Sequence, residues 1–375
     1  MSKLFFVINV DWFFLSHRKE IALSAQKAGY DVTIVTNNTG MKSVIEDLGL
    51  KVIDLPMSRS GKNIFEELST LKFLYNLYKK EKPDIVHHVG LKTIIWGTFA
   101  AKLSNVKGVV NAVSGLGIIF SEDNISVVSK IMLYLLRFSH HRANLAVIFQ
   151  NDEDKSLFLN NHIIRENQSY LIKGSGVDLN QFCYTQEPQT GKIKVLLTAR
   201  MIREKGIFVL IEAAKLLKND YQDKIQFLLC GGIDDNPNAI KENDLKSVCD
   251  GDYITWLGYR TDVLDLLKTS HIVAFPSYYK EGLPKSLIEA TAVGRPIITT
   301  DSIGCKETVI EGYNGFLVPI KNSEALADRL KLLIDDAQLR ITMGKNSRCL
   351  AEKEFSILNV ITKHLEIYKQ LTQNR

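Results

Sequence analysis

Short apolar runs rich in β-branched residues alternate with longer segments of helical period, and this alternation runs its course twice along the chain. In the first half, strands are expected at 4–10, 31–36, 51–54, 84–87, 108–113, 145–149 and 170–172. Helices are expected between them at 18–28, 64–80, 93–103, 126–141 and 152–160. The polar, turn-rich stretch QEPQTG at 186–191 is the best linker candidate. After it the pattern restarts, with strands at 194–198, 225–230, 254–256, 272–274, 296–299 and 315–318. The helices of this half fall at 206–218, 260–269, 284–293, 305–310 and 323–335. Parallel strands need a crossover helix, and helices on both faces make such strands near-continuous in apolar character. The fold class is therefore α/β, with two doubly wound lobes at 1–183 and 184–353. A last helical stretch, 354–370 within 354–375, is long enough to pack back on the first lobe. Open sheets of this kind bind ligands at the carboxyl ends of their strands, so the expected site is an inter-lobe cleft.

Composition narrows the function classes. The 375 residues carry 47 Lys and Arg against 42 Asp and Glu, a net charge of +5. Residues 1–180 hold 21 basic against 17 acidic side chains, too mild a surplus for a nucleic-acid binder. Five scattered cysteines without a C-x-x-C pair fit a reduced, cytoplasmic compartment. The apolar start is interrupted at Asp11 with no small-residue cleavage site after it, so a buried first strand is expected there. No run approaches the ~20 apolar residues of a membrane span.

The densest chemical signal is EGLPKSLIE at 281–289, preceded by FPSYYK and followed by ATAVGRP. It reads as strand, loop, then helix, with Pro284 suited to the first helical position and Gly294 to the left-handed residue after the last turn. Glu281 then lies in the loop at a strand's carboxyl end, and Glu289 projects from the helix's second turn. The N–H groups at such a helix start seat a phosphate, and flanking carboxylates suit the hydroxyls of a sugar and a ribose.

This segment resembles the E-x7-E motif of glycosyltransferase family 4, retaining enzymes built from two Rossmann-like lobes (the GT-B architecture). The resemblance implies that Glu281 contacts donor-sugar hydroxyls near the reacting carbon and that Glu289 binds the ribose. The backbone at Gly282 and Leu283 would approach the sugar and diphosphate. A second match is TARMIREKG at 198–206, similar to the family's G-R-x4-K-G with Ala199 in place of glycine. Arg200 and Lys205 would neutralise charge growing on a departing nucleoside diphosphate, a stabilisation that increases toward the transition state. GSGVD at 174–178 resembles the family's N-G-V-D segment. WLGYRTD at 256–262 resembles its L-G-x3-D turn, whose backbone at Gly258 and Tyr259 would face the base. The resemblance extends through TDSIGCKE at 300–307 and GYNGFLVP at 312–319. It implies a UDP-linked sugar donor and no further cofactor.

In the first lobe NVDWFFLSHR at 9–18, PDIVHH at 83–88 and NAVSGLG at 111–117 look like a subgroup that adds N-acetylhexosamines to polyprenyl-diphosphate-linked glycans. His17 and Arg18 would serve the acceptor's diphosphate, with Gly115 and Gly117 in a backbone-donating loop. Many members carry H-x-H after the Pro-Asp strand; here the position of the second histidine is Val89. Either His88 stands in by a local shift, or the departing phosphate oxygen takes the acceptor's proton on the same face, which is the favoured mechanism. The apolar segment 127–142, with Lys130 and Arg137, suits a membrane-surface helix and a buried one equally. Such an enzyme would work at the inner face of a bacterial plasma membrane.

No metal site is expected. Asp250-Gly-Asp252 has the D-x-D spacing of metal-dependent glycosyltransferases but lies in a turn before a strand, where solvated carboxylates are ordinary. The pairs His87-His88 and His140-His141 lack zinc spacing. The alternatives are a UDP-sugar 2-epimerase of the same architecture and a transferase with a soluble acceptor.

Overall fold

A computed structural model describes residues 1–57, 64–115, 127–234 and 238–373. The chain divides into two compact units, Met1–Gly176 with Ile357–Arg375, and Val177–Ser356.

In the first unit, strands β1 (Lys3–Ile8), β2 (Asp31–Thr36), β3 (Lys51–Asp54), β4 (Ile85–Val89), β5 (Gly108–Ala112), β6 (Leu145–Phe149) and β7 (Ser169–Leu171) form one parallel sheet. Its order is β3-β2-β1-β4-β5-β6-β7. Side chains alternate across each strand, so the sheet builds two cores. Phe5, Val7 and Val86 pack with Leu74, Tyr78 and Leu136 on one face. Leu4, Phe6, Ile8 and Ile85 pack with Ile21, Val360, Ile367 and Tyr368 on the other. The helix Ile357–Gln373 thus covers the second face. Each such large apolar side chain contributes roughly 1.5–3 kcal/mol on burial.

The second unit repeats the plan with β8 (Ile193–Thr198), β9 (Ile225–Cys230), β10 (Ile254–Gly258), β11 (Ile272–Phe275), β12 (Ile297–Thr300) and β13 (Gly315–Val318). The order β10-β9-β8-β11-β12-β13 is again doubly wound. In both sheets the winding reverses beside the first strand, between β1 and β4 and between β8 and β11. At such a point the strand-end loops diverge and leave room for a ligand.

Several details differ from the sequence reading. The expected linker 186–191 belongs inside the second unit, because Glu187 is buried in a bidentate pair with Arg340 at 3.0 Å. The helix expected at 18–28 is Lys19–Lys27, and a further short helix, Asp11–His17, precedes it across a break at Arg18. The helix expected at 305–310 is only a 3-10 turn, Lys306–Thr308. The helix Ala337–Leu350 was not anticipated at all.

Candidate active site

The second unit gathers its chemistry where β8, β9, β10 and β11 end. Two glycines make this convergence possible. Gly206 has φ +77°, and a Cβ there would lie 2.0 Å from the Pro276 carbonyl oxygen, so the loops after β8 and β11 touch backbone to backbone. Gly231 has φ +153°, and a Cβ there would lie 1.6 Å from the Ala199 carbonyl oxygen, which joins the β9 loop to the β8 loop. Either position rejects a side chain. Tyr278 N donates to Glu204 O at 2.8 Å and completes the first junction.

Lys205 and Glu281 meet across that junction, Nζ to Oε2 at 2.6 Å, with both side chains largely buried. The ammonium lies 5.4 Å from the Phe275 ring centre and 5.3 Å from that of Tyr279. Ser277 Oγ donates to Glu281 Oε1 at 3.0 Å, and Thr300 and Ser302 hold the Ser277 carbonyl in turn. A charged pair out of water is costly unless its geometry is fixed from several sides, and here it is. Arg200 Nη1 pairs with Asp234 Oδ2 at 2.6 Å. The β10 loop joins through Gly231 N, which donates to Gly258 O at 2.8 Å. Gly258 has φ +68°, and Tyr259 beside it is among the most exposed aromatic residues.

Below Glu281 the chain turns into the helix Lys285–Val293. Pro284 is its N-cap rather than its first residue, and Gly294 ends it in the left-handed conformation as expected. Leu283 points into a small apolar cluster with Ile288, Ala292 and Phe355, which anchors the turn. The Gly282 carbonyl lies under Gly304, where a Cβ would approach it to 1.9 Å. Glu289 projects from the second turn, 3.5 Å from Lys285 Nζ, and burial pushes its carboxyl pKa upward. The structure therefore groups Arg200, Lys205, Glu281, Gly282, Gly258 and Tyr259 at strand ends, with Glu289 on the adjoining helix. Asp234, Ser277, Thr300 and Ser302 complete the group without having been singled out from sequence. GGID at 231–234 follows β9 with the same strand-then-glycine punctuation and was the signal available for Asp234.

Asp250 and Asp252 serve the other end of the sheet, in the turn before β10. Burial works against the charged form of Asp250. Backbone N–H donors from Ile254, Asp252 and Tyr253, with Lys218, nevertheless bring its pKa down to about 2. Asp252 pairs with Lys192 at 3.2 Å. Asp250 thus braces the turn, and Asp252 serves an exposed ion pair.

The first-unit expectations fare differently. His88 is fully buried on β4 and is no surface group. Its Nδ1–H donates to Asn111 Oδ1 at 2.8 Å, and its Nε2 accepts from Tyr78 Oη at 3.0 Å. Asn111 Nδ2 continues the chain to His140 Nε2 at 2.9 Å, and His140 Nδ1 donates to Leu136 O at 2.9 Å. Burial drives the His88 pKa down to about 4 and that of His140 to about 3, so both are neutral struts. Gly97 lets the His88 ring in, since a Cβ there would lie 2.3 Å from Cδ2.

Arg18 is 3% exposed and does not present its charge to solvent. Its Nη1 donates to His17 O at 3.0 Å, and burial lowers its pKa to about 10. His17 stacks on Phe13 with ring centres 4.1 Å apart and sits 2.6 Å from Ser16 Oγ. Gly115 has φ +104°, and Gly117 lies outside the described residues.

Comparison with known proteins finds matches along most of the chain. Residues 185–349 match the family model "Glycosyl transferases group 1", and residues 3–151 match "Glycosyl transferase 4-like". The N,N'-diacetylbacillosaminyl-diphospho-undecaprenol alpha-1,3-N-acetylgalactosaminyltransferase of Campylobacter jejuni is 29% identical, over 92% of each chain. The UDP-Gal:alpha-D-GlcNAc-diphosphoundecaprenol alpha-1,3-galactosyltransferase of Escherichia coli is 26% identical, over 92% of this chain and 90% of that one. Among solved structures, a glycosyltransferase from Rickettsia africae superposes with a TM-score of 0.82 at 23% identity. That match covers 100% of this chain and 99% of the other, and shows a shared GT-B fold. Matched on both halves and carrying the strand-end carboxylates and cations of the motif, the chain belongs to the group 1, family 4-like glycosyltransferases.

Proposed function

We propose that the protein is a retaining transferase that moves an N-acetylhexosamine from a UDP-linked donor to a lipid-diphosphate-linked saccharide in bacterial surface-glycan assembly. The observation that carries the donor half is the Lys205–Glu281 pair at the β8/β11 reversal, above the start of the helix Lys285–Val293. Lys205 and Arg200 would stabilise the charge that grows on the diphosphate as the sugar's C1–O bond breaks. Glu281 would orient the sugar, and Glu289 the ribose. The acceptor hydroxyl forms the new C1–O bond, and its proton passes to the departing phosphate oxygen. His88 takes no part, since both its ring nitrogens are bonded inside the core. In this reading Arg200 and Lys205 supply the positive charge that the diphosphate needs, without a metal ion or other cofactor.

The acceptor half is supported by the two relatives, whose names state undecaprenyl-diphosphate-linked substrates. It is also supported by the helix Val127–His140, which exposes Ile131, Tyr134 and Phe138 along one face beside Lys130 and Arg137. An apolar face flanked by cations suits the inner leaflet of a bacterial plasma membrane. Among the described residues no helix is long and apolar enough to cross one.

A panel of UDP-sugars offered with short polyprenyl-diphosphate saccharides tests the reading. Transfer to the lipid-linked acceptor with retained anomeric configuration is expected, together with sedimentation on anionic liposomes that high salt reverses. Equal transfer to a free saccharide without liposome binding would refute the lipid acceptor. An epimerised UDP-sugar formed without acceptor would refute transfer itself.

A further inference from the structure

We infer that Asp234 is a positioning residue for the reaction, holding the guanidinium of Arg200 toward the donor diphosphate; the inference rests on the donor reading above. The two cations of the site are held in different ways. Lys205 is enclosed by Glu281 and two aromatic rings. Arg200 has a side chain 39% exposed, and its one partner among the described residues is Asp234. An arginine held so lightly would otherwise sample many rotamers and meet the leaving group in few of them.

Asp234 is well placed for this task because its own position is set by backbone. It is only 8% exposed. The preceding residue Ile233 forms a bridge with Met201, and Met201 N donates to Gly232 O at 3.0 Å. The residue next to Arg200 on the β8 loop is thereby fixed to the residue next to Asp234 on the β9 loop. Gly231 keeps the two loops at that spacing, as its contact with the Ala199 carbonyl shows. The carboxylate engages Arg200 through Nη1 alone. The Nε–Nη2 edge makes no bond among the described residues, and that edge has the two-pronged geometry that phosphate oxygens accept. Asp234 thus aims the arginine without occupying the edge that the diphosphate needs.

The alternative is a latch, in which Asp234 competes with the diphosphate for Arg200. The two differ in sign, and kinetics together with UDP titration decide between them. For positioning, Asp234→Ala should lower kcat about tenfold, a change of transition-state origin. UDP affinity should move less than about threefold, because removing a nearby negative charge offsets the lost order. Asp234→Asn keeps an acceptor oxygen for Nη1 and should recover most of the rate. In an Arg200→Ala background, Asp234→Ala should cost nothing further, since coupled residues are not additive. Wild-type turnover in Asp234→Ala, tighter UDP binding with faster turnover, or an undiminished loss in the Arg200→Ala background would each overturn the inference. Absence of UDP binding by the wild-type protein would overturn the donor reading, and this inference with it.

Discussion

The two sheets have the same winding and place very different chemistry at it. In the first unit, two ionisable side chains next to the β1/β4 reversal, His88 and Arg18, lie within the strand and at a helix break. There His88 is bonded on both ring nitrogens and Arg18 is buried beneath helices. In the second unit, the ionisable side chains next to the β8/β11 reversal lie in the loops beyond the strands. There Lys205, Glu281, Arg200 and Asp234 form two short ion pairs. Strand order decides where groups can gather. Whether they gather for chemistry depends on which side of the strand's last hydrogen bond they stand.

The largest effect should come from cutting the second-unit pairs. Lys205→Ala and Glu281→Ala should each lower turnover by roughly 10²-fold or more, the usual scale for a group acting on developing charge. Glu289→Ala should mainly raise the donor Kd. Steady-state kinetics with donor titration separates these cases, and wild-type turnover in Glu281→Ala would remove the contrast between the units.

A smaller effect is expected in the first unit, and on stability rather than chemistry. His88, His140 and His364 stay neutral in the folded protein because burial lowers their pKa values to about 4, 3 and 3. The unfolded chain takes up protons on each below about pH 6.5. Their stabilising effect is complete above that pH and is lost as pH falls toward 4 and below. Each adds a slope of about 1.4 kcal/mol per pH unit within its window. Urea unfolding at pH 7.5, 5.5 and 4.5 should show this decline. His88→Gln should lower stability at pH 7.5 and flatten the slope by one proton, with turnover per folded molecule unchanged. Reduced turnover in that variant at full folding would return His88 to the reaction.

The smallest effect is none at all. Activity should survive EDTA, because Arg200, Lys205 and a helix start supply the positive charge that a divalent ion would supply elsewhere. An assay before and after chelation checks this, and loss restored by Mg²⁺ or Mn²⁺ would redirect attention to the acidic groups near the site.

Much of this was legible in the sequence because it depends on local pattern. Alternating β-branched runs located the strands, and the glycines and carboxylates around 198–206 and 281–289 pointed to the candidate site. What escaped depends on tertiary packing. The helix Ala337–Leu350 reads poorly because Gly344 interrupts it. That glycine is there because a Cβ would come within 2.5 Å of the Gly294 carbonyl oxygen. The burial of His88 and Arg18 is not written in their residue types and follows from the packing around the sheet. Asp234 escaped because its partner Arg200 is 34 residues distant and the loops pair only in the fold.

In the donor reading, the strand-end loops of the second unit, and not those of the first, hold the nucleotide. Hydrogen–deuterium exchange with and without UDP tests it directly. Slowed exchange is expected over 199–206, 231–234, 258–260 and 277–289, with 85–89 and 108–112 unchanged. Protection along 85–89 and 108–112, with 199–206 and 277–289 unaffected, would contradict it.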